Sequence, residues 1–387
     1  MYEILKLNEI SKVAGTVFND NYSLVKESAK PDGIVLRSFN MHEYDIPESV
    51  LCVGRAGAGV NNIPLDKCAE KGIVVFNTPG ANANAVKELV MCGLFLAGRN
   101  VVDGINWAST LKGKGAEVGK LVEKGKSSFV GKEIMGKTLG VIGLGAIGVL
   151  VANAANALGM NVLGYDPYIS VDGAWHLDNK VVKETDVTEI FKKSDFVTLH
   201  VPLNDSTRGI VNADTLALMK DGSAVLNFAR GELVDSKAML KAVASGKISR
   251  YVTDFPSDEM LNVENVVAIP HLGASTPEAE DNCAVMVARQ MRDFFENGNI
   301  VNSVNFPACK IPRKGCFRIT VIHKNVKNVL NAVTGIVSGK AVNIANMLSQ
   351  AKGDYAYLIL DLDEKLDDAT VDEIKALDAV IRVRTFA

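Results

Sequence analysis

The chain has 387 residues, enough for two or three domains of about 100–200 residues each. Hydrophobic residues make up 48%, charged residues 22%, and the mean hydropathy is +0.13, which excludes a disordered, collagen-like or coiled-coil chain. The formal charge of −3 argues against nucleic acid or an anionic membrane as a partner.

The N-terminus resembles neither a secretory signal nor a transit peptide, and no run of about 18 apolar residues predicts a bilayer-spanning helix. Six cysteines are scattered without a C-x-x-C pair. This spacing favours free thiols in a reducing cytoplasm over structural zinc or a disulfide framework, so no metal site is predicted.

The first third alternates β-rich runs with helical patterns, as a parallel sheet requires. The predicted elements are strands Gly33–Arg37, Val50–Arg55 and Gly72–Asn77 and a long helix Ala83–Arg99. The connector at 112–137 holds seven lysines and three glutamates, and we predict a solvated surface loop there.

From Lys137 onward the alternation is regular, and continuous apolar runs indicate strands buried on both faces. The predicted strands are Thr138–Ile142, Asn161–Tyr165, Phe196–His200, Ala224–Asn227, Tyr251–Thr253 and Val266–Ile269, with helices that include Ile147–Leu158 and Ser236–Ser245. This order predicts a doubly wound α/β sheet.

A long helix is predicted at Glu278–Asn297, and Asn302–Gly315 has the composition of a linker. The last 72 residues follow the order β-α-β-β-α-β of a ferredoxin-like domain. Its predicted elements are Phe317–His323, Val326–Ser338, Val342–Ala351, Tyr355–Leu362, Thr370–Ala376 and Val380–Thr385.

A glycine-rich turn, G-L-G-A-I-G, lies between a predicted strand and helix, with its glycines at Gly143, Gly145 and Gly148. Such glycines allow a tight turn, close backbone approach to a pyrophosphate, and helix–strand packing. Asp166 ends the next strand, where a carboxylate accepts hydrogen bonds from a ribose diol and repels a 2′-phosphate. This favours NAD over NADP, although Asp166 also suits a turn before Pro167.

Three charged residues follow later strands: Arg230, Glu259 and His271. Each alone suits a surface position or a loop cap, but together they match alcohol oxidation with NAD. Histidine accepts the hydroxyl proton near neutral pH, and a neighbouring carboxylate stabilises the imidazolium. A guanidinium binds an α-carboxylate bidentately and polarises the C2 carbonyl.

Several motifs together resemble the NAD-dependent D-2-hydroxyacid dehydrogenases: RAGAGVNNI, GKTLGVIGLGAIG, GYDP, HVPLNDSTRG, NFARGELVD, VTDFPSDE and PHLGAST. The C-terminal segment narrows the resemblance to members that oxidise 3-phospho-D-glycerate in serine biosynthesis and carry a small regulatory ACT domain. The implied fold is a split flavodoxin-like substrate domain (1–81 and 275–305), an inserted Rossmann-type NAD domain (82–274), a linker (306–315) and an ACT-like domain (316–387).

The resemblance implies that His271 is the acid/base, Glu259 its partner and Arg230 the carboxylate anchor. Met260 follows Glu259 where the family usually has proline, and the adjacent Asp258 is the alternative partner. The implied NAD-binding residues are Ala58, Gly143, Gly145, Ala146, Ile147, Gly148, Asp166, Val201, Phe228, Ala229, Arg230, Asp254, His271, Leu272, Gly273 and Ala274.

Arg37 and Arg55 end two N-terminal strands and match the family's phosphate-facing arginines, and Lys126 falls at its basic position in the connector. A planar fork and a point charge both suit phosphate. The alternative is that all three are ordinary surface cations.

The ACT resemblance implies an L-serine effector site formed by His323, Asn325 and Asn343. Val326, Lys327 and Asn328 replace the family's Arg-Pro-Gly, and the loss of glycine is expected to change the turn's geometry. The alternative is a purely dimerising domain whose polar residues cap a helix.

The resemblance also implies a homodimer or homotetramer. Two alternative functions stay open at the sequence level. One is a dehydrogenase or reductase for another 2-hydroxy acid, such as glycerate, glyoxylate or lactate. The other is an NAD-sensing corepressor, although no basic or disordered partner-binding segment is evident.

Overall fold

The computed structural model describes residues 1–314 and 317–387. Gly315 and Cys316 lie outside the described residues, so the end of the predicted linker, the start of the predicted ACT-like domain and one expected free thiol are not covered. The five described cysteines carry free thiols. Within the described ranges, no helix has both the length and the apolar character needed to cross a bilayer.

The first part of the chain builds a five-stranded parallel sheet in the order β2-β1-β3-β4-β5. Its elements are β1 (Tyr2–Lys6), α1 (Ala14–Val17), β2 (Tyr22–Val25), β3 (Gly33–Leu36), β4 (Cys52–Arg55), α2 (Leu65–Glu70) and β5 (Val74–Phe76). This is the flavodoxin-like strand order, and it confirms that part of the predicted fold class.

The middle part builds a seven-stranded parallel sheet in the order β12-β11-β10-β9-β6-β7-β8, the doubly wound arrangement expected for a dinucleotide domain. Its elements are α3 (Ala83–Gly98), α4 (Val101–Ser109), α5 (Val118–Gly125), β6 (Thr138–Ile142), α6 (Ala146–Ala157), β7 (Asn161–Tyr165), α7 (Val171–His176), β8 (Val182–Lys183), α8 (Val187–Lys193), β9 (Phe196–Leu199), α9 (Ala213–Leu218), β10 (Ser223–Asn227), α10 (Ser236–Ala244), β11 (Ile248–Thr253) and β12 (Val266–Ala268).

The last part adds a long helix and a four-stranded antiparallel sheet in the order β14-β15-β13-β16, with the predicted ferredoxin-like connectivity. Its elements are α11 (Pro277–Asn297), β13 (Phe317–Lys324), α12 (Val329–Gly339), β14 (Ile344–Lys352), β15 (Tyr355–Leu362), α13 (Asp368–Lys375) and β16 (Val380–Phe386).

The chain divides into two compact units. One combines Met1–Ala81 with Glu280–Ala387, and the other is Asn82–Ala279. In the first unit the C-terminal sheet shares a core with the N-terminal sheet, because Ile322, Tyr357 and Ile359 pack in one buried cluster with residues such as Ile4 and Phe294.

The segment 112–137 is largely exposed, as predicted, but it is not a loop, because it contains α5 and two short 3-10 helices, Gly115–Glu117 and Lys126–Phe129. Leu121 and Val122 are half-buried on one side of α5 while its lysines are exposed, so the lysine content concealed an amphipathic helix. Strands β1, β2 and β8 were not anticipated either; β8 has only two residues.

Candidate active site

The glycine-rich turn between β6 and α6 has the geometry of a phosphate-binding loop. Gly143 has a φ of 95°, and a Cβ there would lie 2.5 Å from the His200 carbonyl oxygen. A Cβ on Gly148 would overlap the Gly143 carbonyl, whereas a Cβ on Gly145 would meet no described atom within 4 Å. Close packing at two glycines and open space at the third, beside the N-terminus of α6, fit a dinucleotide pyrophosphate.

Asp166 at the end of β7 is half-buried, and both of its carboxylate oxygens hold the loop in place. One accepts a hydrogen bond from the Leu144 backbone N–H at 2.8 Å, and the other from the Tyr168 N–H at 2.8 Å. Asp166 therefore does stabilise the turn at Pro167, the alternative role considered for it. It leaves lone pairs on both oxygens that can accept hydroxyl donors.

Asn227 at the end of β10 anchors the segment that carries Arg230. Its side-chain amide donates to the Arg230 carbonyl at 2.8 Å and its side-chain oxygen accepts from the Ala229 N–H at 3.2 Å. Asn227 is fully buried, whereas Arg230 is exposed and its guanidinium donates to the Ala229 carbonyl at 2.6 Å. Sequence reasoning missed Asn227, although an amide ending an otherwise apolar strand was a usable signal.

Asp254, directly after β11, is 1% exposed, and neither carboxylate oxygen has a hydrogen-bond partner among the described residues. Burial raises the pKa of its carboxyl above the ordinary value, against the opposing charges of His271 and Arg230. A Cβ on Gly273 would lie 3.6 Å from Asp254 Oδ2. A buried, unpaired acid of this kind requires a donor from a ligand or a bound proton.

His271 follows β12 on the surface, and its ring centroid lies 4.6 Å from that of Phe255. Asp258 and Glu259 are both exposed in a 3-10 turn, Asp258–Met260. Within the described chain, no hydrogen bond or ion pair joins His271 to either acid. The structure therefore leaves the His271–Glu259 pairing a prediction, with Asp258 still the alternative.

The remaining predicted NAD residues differ in exposure. Phe228 and Gly273 are buried, Ala146 and Leu272 are exposed, and Ile147, Val201, Ala229 and Ala274 are intermediate. Ala58 lies in the other unit, where its carbonyl accepts a hydrogen bond from the Asn77 side chain at 2.7 Å.

His200, at the end of β9, is a neighbour of the glycine-rich turn that the sequence did not single out. Its Nε2 lies 3.0 Å from the Thr198 hydroxyl, and its Nδ1 is enclosed without a partner among the described atoms. Burial lowers the pKa of His200 to about 3, so its imidazole is neutral at physiological pH. A neutral ring here adds no positive charge beside the loop.

Arg37 directly follows β3, and Arg55 is the last residue of the neighbouring strand β4. Arg55 Nε donates to the Arg37 carbonyl at 3.1 Å, and its guanidinium occupies the space that a Cβ on Gly57 would need. Arg37 forms an ion pair with Glu280. Lys126 belongs to the other unit, where it is exposed and pairs with Glu123.

The three predicted effector residues do not meet within one chain. His323 and Asn325 lie at the end of β13 that pairs with the start of β15, and Asn325 donates to the Gly353 carbonyl at 3.0 Å. Asn343 precedes β14 at the opposite end, because Ile344 pairs with Leu362. At about 3.3 Å per residue, the length of β13 separates the two groups by roughly 20 Å.

The expected change of geometry after β13 stays a prediction, and the structure shows the backbone conformation at Asn328, the last of the three replaced residues. Asn328, which stands where the family has glycine, has a φ of 69° and a ψ of −3°. This is the left-handed conformation that glycine and asparagine tolerate best. The side chain of His323 is nearly buried, with Nδ1 at 2.8 Å from the Lys324 carbonyl and Nε2 unpartnered among the described atoms.

Comparisons with known proteins agree with this geometry. Residues 105–273 match the family model for the D-isomer specific 2-hydroxyacid dehydrogenase NAD binding domain. The chain is 33% identical over 350 residues to D-3-phosphoglycerate dehydrogenase of Escherichia coli, covering 87% of this chain and 82% of that protein. It is 37% identical over 317 residues to that of Methanocaldococcus jannaschii, covering 79% of this chain and 58% of that protein.

Among solved structures, NAD⁺-bound 3-phosphoglycerate dehydrogenase of Entamoeba histolytica superposes with a TM-score of 0.60 at 26% identity, covering 79% of this chain and 98% of that one. The fold, the open glycine turn and these relatives lead to one conclusion: the chain belongs to the NAD-dependent D-2-hydroxyacid dehydrogenases, and its cofactor is NAD.

Proposed function

We propose that the chain is a D-3-phosphoglycerate dehydrogenase, which oxidises 3-phospho-D-glycerate to 3-phosphohydroxypyruvate in the first step of L-serine biosynthesis. The observation that carries this proposal is the pair of arginines, Arg37 and Arg55, at adjacent strand ends. Two guanidinium groups provide the charge and the forked donors that a phosphate dianion requires.

The NAD site would use the loop at 143–148 for the pyrophosphate and Asp166 for the adenosine ribose. The buried Asp254 carboxylate would accept a hydrogen bond from the carboxamide amine, which supplies its missing donor. Bound NAD supplies the acceptor for the hydride that leaves C2. Val201, 228–230, 271–274 and Ala58 would complete the site.

The substrate's reacting end would be handled by Arg230 and His271. Arg230 would bind the α-carboxylate, since its guanidinium is exposed and, among the described residues, donates to the Ala229 carbonyl alone. His271 would accept the C2 hydroxyl proton as the hydride leaves C2, so that alcohol and oxidised cofactor become ketone, reduced cofactor and imidazolium. Glu259 would hold the imidazole in the correct tautomer.

A second candidate is a dehydrogenase for an unphosphorylated 2-hydroxy acid such as D-glycerate. The observation in its favour is the ion pair between Glu280 and Arg37, which neutralises one of the two proposed phosphate ligands.

Arginine substitution separates the two candidates. Phosphate recognition predicts that Arg37→Ala and Arg55→Ala each raise KM for 3-phospho-D-glycerate at least about tenfold, since a charge-assisted pair contributes 1.5–3 kcal/mol. KM for D-glycerate should change little. Arg289→Ala, an exposed arginine of the same unit, is the control. Equal effects on both substrates would favour the second candidate.

We also propose that L-serine inhibits the enzyme at an interface between two C-terminal domains of a homo-oligomer. Strand β14 is an edge strand. If two copies pair antiparallel along β14, Asn343 of one chain approaches the His323–Asn325 end of the other. Asn328 at that end adopts a left-handed conformation that a glycine in the same position could also adopt, which supports the proposal.

Inhibition assays with L-serine test this regulation. An allosteric coupling of about 1–3 kcal/mol predicts a 5- to 150-fold effect, which Asn343→Ala should relieve while uninhibited turnover is unchanged. D-Serine is the control ligand. Calorimetry that detects no L-serine binding at millimolar concentration would contradict the proposal and leave a dimerising domain.

A further inference from the structure

The ion pair between Arg37 and Glu280 places a carboxylate on one of the two cations assigned to phosphate. Arg37 directly follows β3, and Glu280 lies in the first turn of α11. Their side chains are 34% and 43% exposed, so solvent reaches both partners. A pair this exposed contributes little stability and opens at low cost.

The backbone of Arg37 is held more firmly than its side chain. Its N–H donates to the Asn8 side-chain oxygen at 2.9 Å, and its carbonyl accepts from Arg55 Nε at 3.1 Å and from the Asn62 side chain at 3.3 Å. The strand end is thus fixed in position. The guanidinium can exchange its anionic partner without moving the backbone.

We propose that Glu280 is an internal competitor of the substrate's phosphate. It occupies the Arg37 guanidinium in the free enzyme, and a bound phosphate must displace it or share the five donors of Arg37 with it. A carboxylate and a phosphate bound to the same guanidinium carry like charges and repel each other. Glu280 thereby sets the affinity for phosphorylated substrate and product, an inference that rests on the proposed function.

The variant Glu280→Gln tests this competition, because it removes the charge and keeps the shape of the side chain. We expect KM for 3-phospho-D-glycerate to fall about 3- to 10-fold, as for loss of one nearby like charge, while KM for D-glycerate changes less than about 2-fold. Binding of inorganic phosphate, measured by calorimetry without substrate, should tighten in parallel.

Asp281→Asn is the matched control. Asp281 is the next residue of α11 and carries the same charge, but its carboxylate accepts a hydrogen bond from Ser11 instead of pairing with Arg37. This variant should leave both KM values and phosphate binding unchanged. In the Arg37→Ala variant, adding Glu280→Gln should not tighten phosphate binding, because the cation for which Glu280 and phosphate compete is absent.

Unchanged or weaker phosphate binding in Glu280→Gln would overturn the inference, as would an equal gain in Asp281→Asn. Failure of the proposed function looks different: wild-type enzyme would then show no preference for 3-phospho-D-glycerate over D-glycerate. Calorimetry with inorganic phosphate reads the competition in either case, since it needs no turnover.

Discussion

Two buried aspartates, one in each unit, differ in whether their carboxylates have hydrogen-bond partners among the described residues. Asp361 on β15 is fully buried and accepts hydrogen bonds from Arg318 Nε at 2.5 Å, Arg318 Nη2 at 2.9 Å and the Lys314 N–H at 2.8 Å. Asp254 is buried to the same degree, yet its oxygens have no hydrogen-bond partner among the described residues.

This difference indicates that Asp361 stabilises the fold, whereas Asp254 is available for binding a ligand. Arg318 also donates to the Asn297 carbonyl at 2.8 Å, so the Asp361 pair fastens the C-terminal sheet to the end of α11. The Asp254 carboxylate has no such partner among the described residues and has a raised pKa, which costs stability and leaves it available to a ligand donor.

The largest expected effect comes from breaking the buried ion pair between Asp361 and Arg318. Asp361→Asn should destabilise the chain by about 3–5 kcal/mol, because it leaves the buried Arg318 guanidinium uncompensated. Urea unfolding of the full chain measures this. Asp372→Asn, which removes an exposed ion pair with Lys375 in the same domain, should cost less than about 0.5 kcal/mol. A small loss in Asp361→Asn would mean that the pair does not fasten the sheet.

The next effect concerns His271, whose charge opposes the rise in the pKa of Asp254. We expect His271→Ala to lower turnover by at least about 100-fold with NAD affinity nearly intact, because acid–base catalysis contributes 10²–10⁴. Arg230→Lys should also be poor, since one ammonium cannot replace a bidentate fork. His176→Ala, an exposed histidine of the same unit, should turn over normally. Near-native turnover in His271→Ala would remove this residue from the mechanism.

Asp166 is a third kind of acid: it is half-buried, and among the described residues its hydrogen-bond donors are backbone N–H groups. Asp166→Ser should weaken NAD binding about tenfold, as expected for the loss of one charge-assisted contact, and improve the relative use of NADP. Asp172→Ser, an exposed neighbour, should do neither. If the wild-type enzyme uses both cofactors equally well, the role of Asp166 is wrong.

The smallest effect should come from Asp254→Asn, with a sign opposite to that of Asp361→Asn. Because the folded-state pKa of Asp254 is raised, the native state binds more protons than the unfolded state between the two pKa values. Its contribution to stability therefore falls as pH rises through that interval, and the penalty is complete above it. Asp254→Asn should raise Tm at pH 7.5 by about 2–4 °C, the shift for roughly 1 kcal/mol, while weakening NAD binding.

The gain from Asp254→Asn should disappear below about pH 4, where both states protonate this carboxyl. Thermal melts between pH 4 and pH 8 check the trend. Asp221→Asn, which changes an exposed acid of the same unit, should leave Tm unchanged across the range. A lower Tm in Asp254→Asn at pH 7.5 would show that the unpartnered carboxylate stabilises the fold.

The sequence predicted what local patterns determine. Apolar runs located β6 and β9 because strands buried on both faces have no polar alternation. Glycine spacing located the 143–148 loop because only glycine fits beside the His200 and Gly143 carbonyls. Strand β8 was missed because two residues carry no pattern, and α5 because its lysines concealed its apolar side.

The sequence did not predict which side chains form long-range hydrogen bonds or ion pairs. Nothing in the residues around Asp254 and Asp361 distinguishes an empty carboxylate from a bonded one, since Arg318 lies 43 positions before Asp361. The Glu280–Arg37 pair joins residues far apart in the chain for the same reason. Long-range pairing depends on the register of the sheets, which single-sequence patterns do not specify.

The most direct measurement is NADH formation by the wild-type enzyme with 3-phospho-D-glycerate and with D-glycerate at matched concentrations. Recognition of the phosphate by Arg37 and Arg55 predicts a kcat/KM at least about 100-fold higher for the phosphorylated substrate, since two charge-assisted contacts add about 3 kcal/mol. Equal kcat/KM values, or a preference for D-glycerate, would contradict the account.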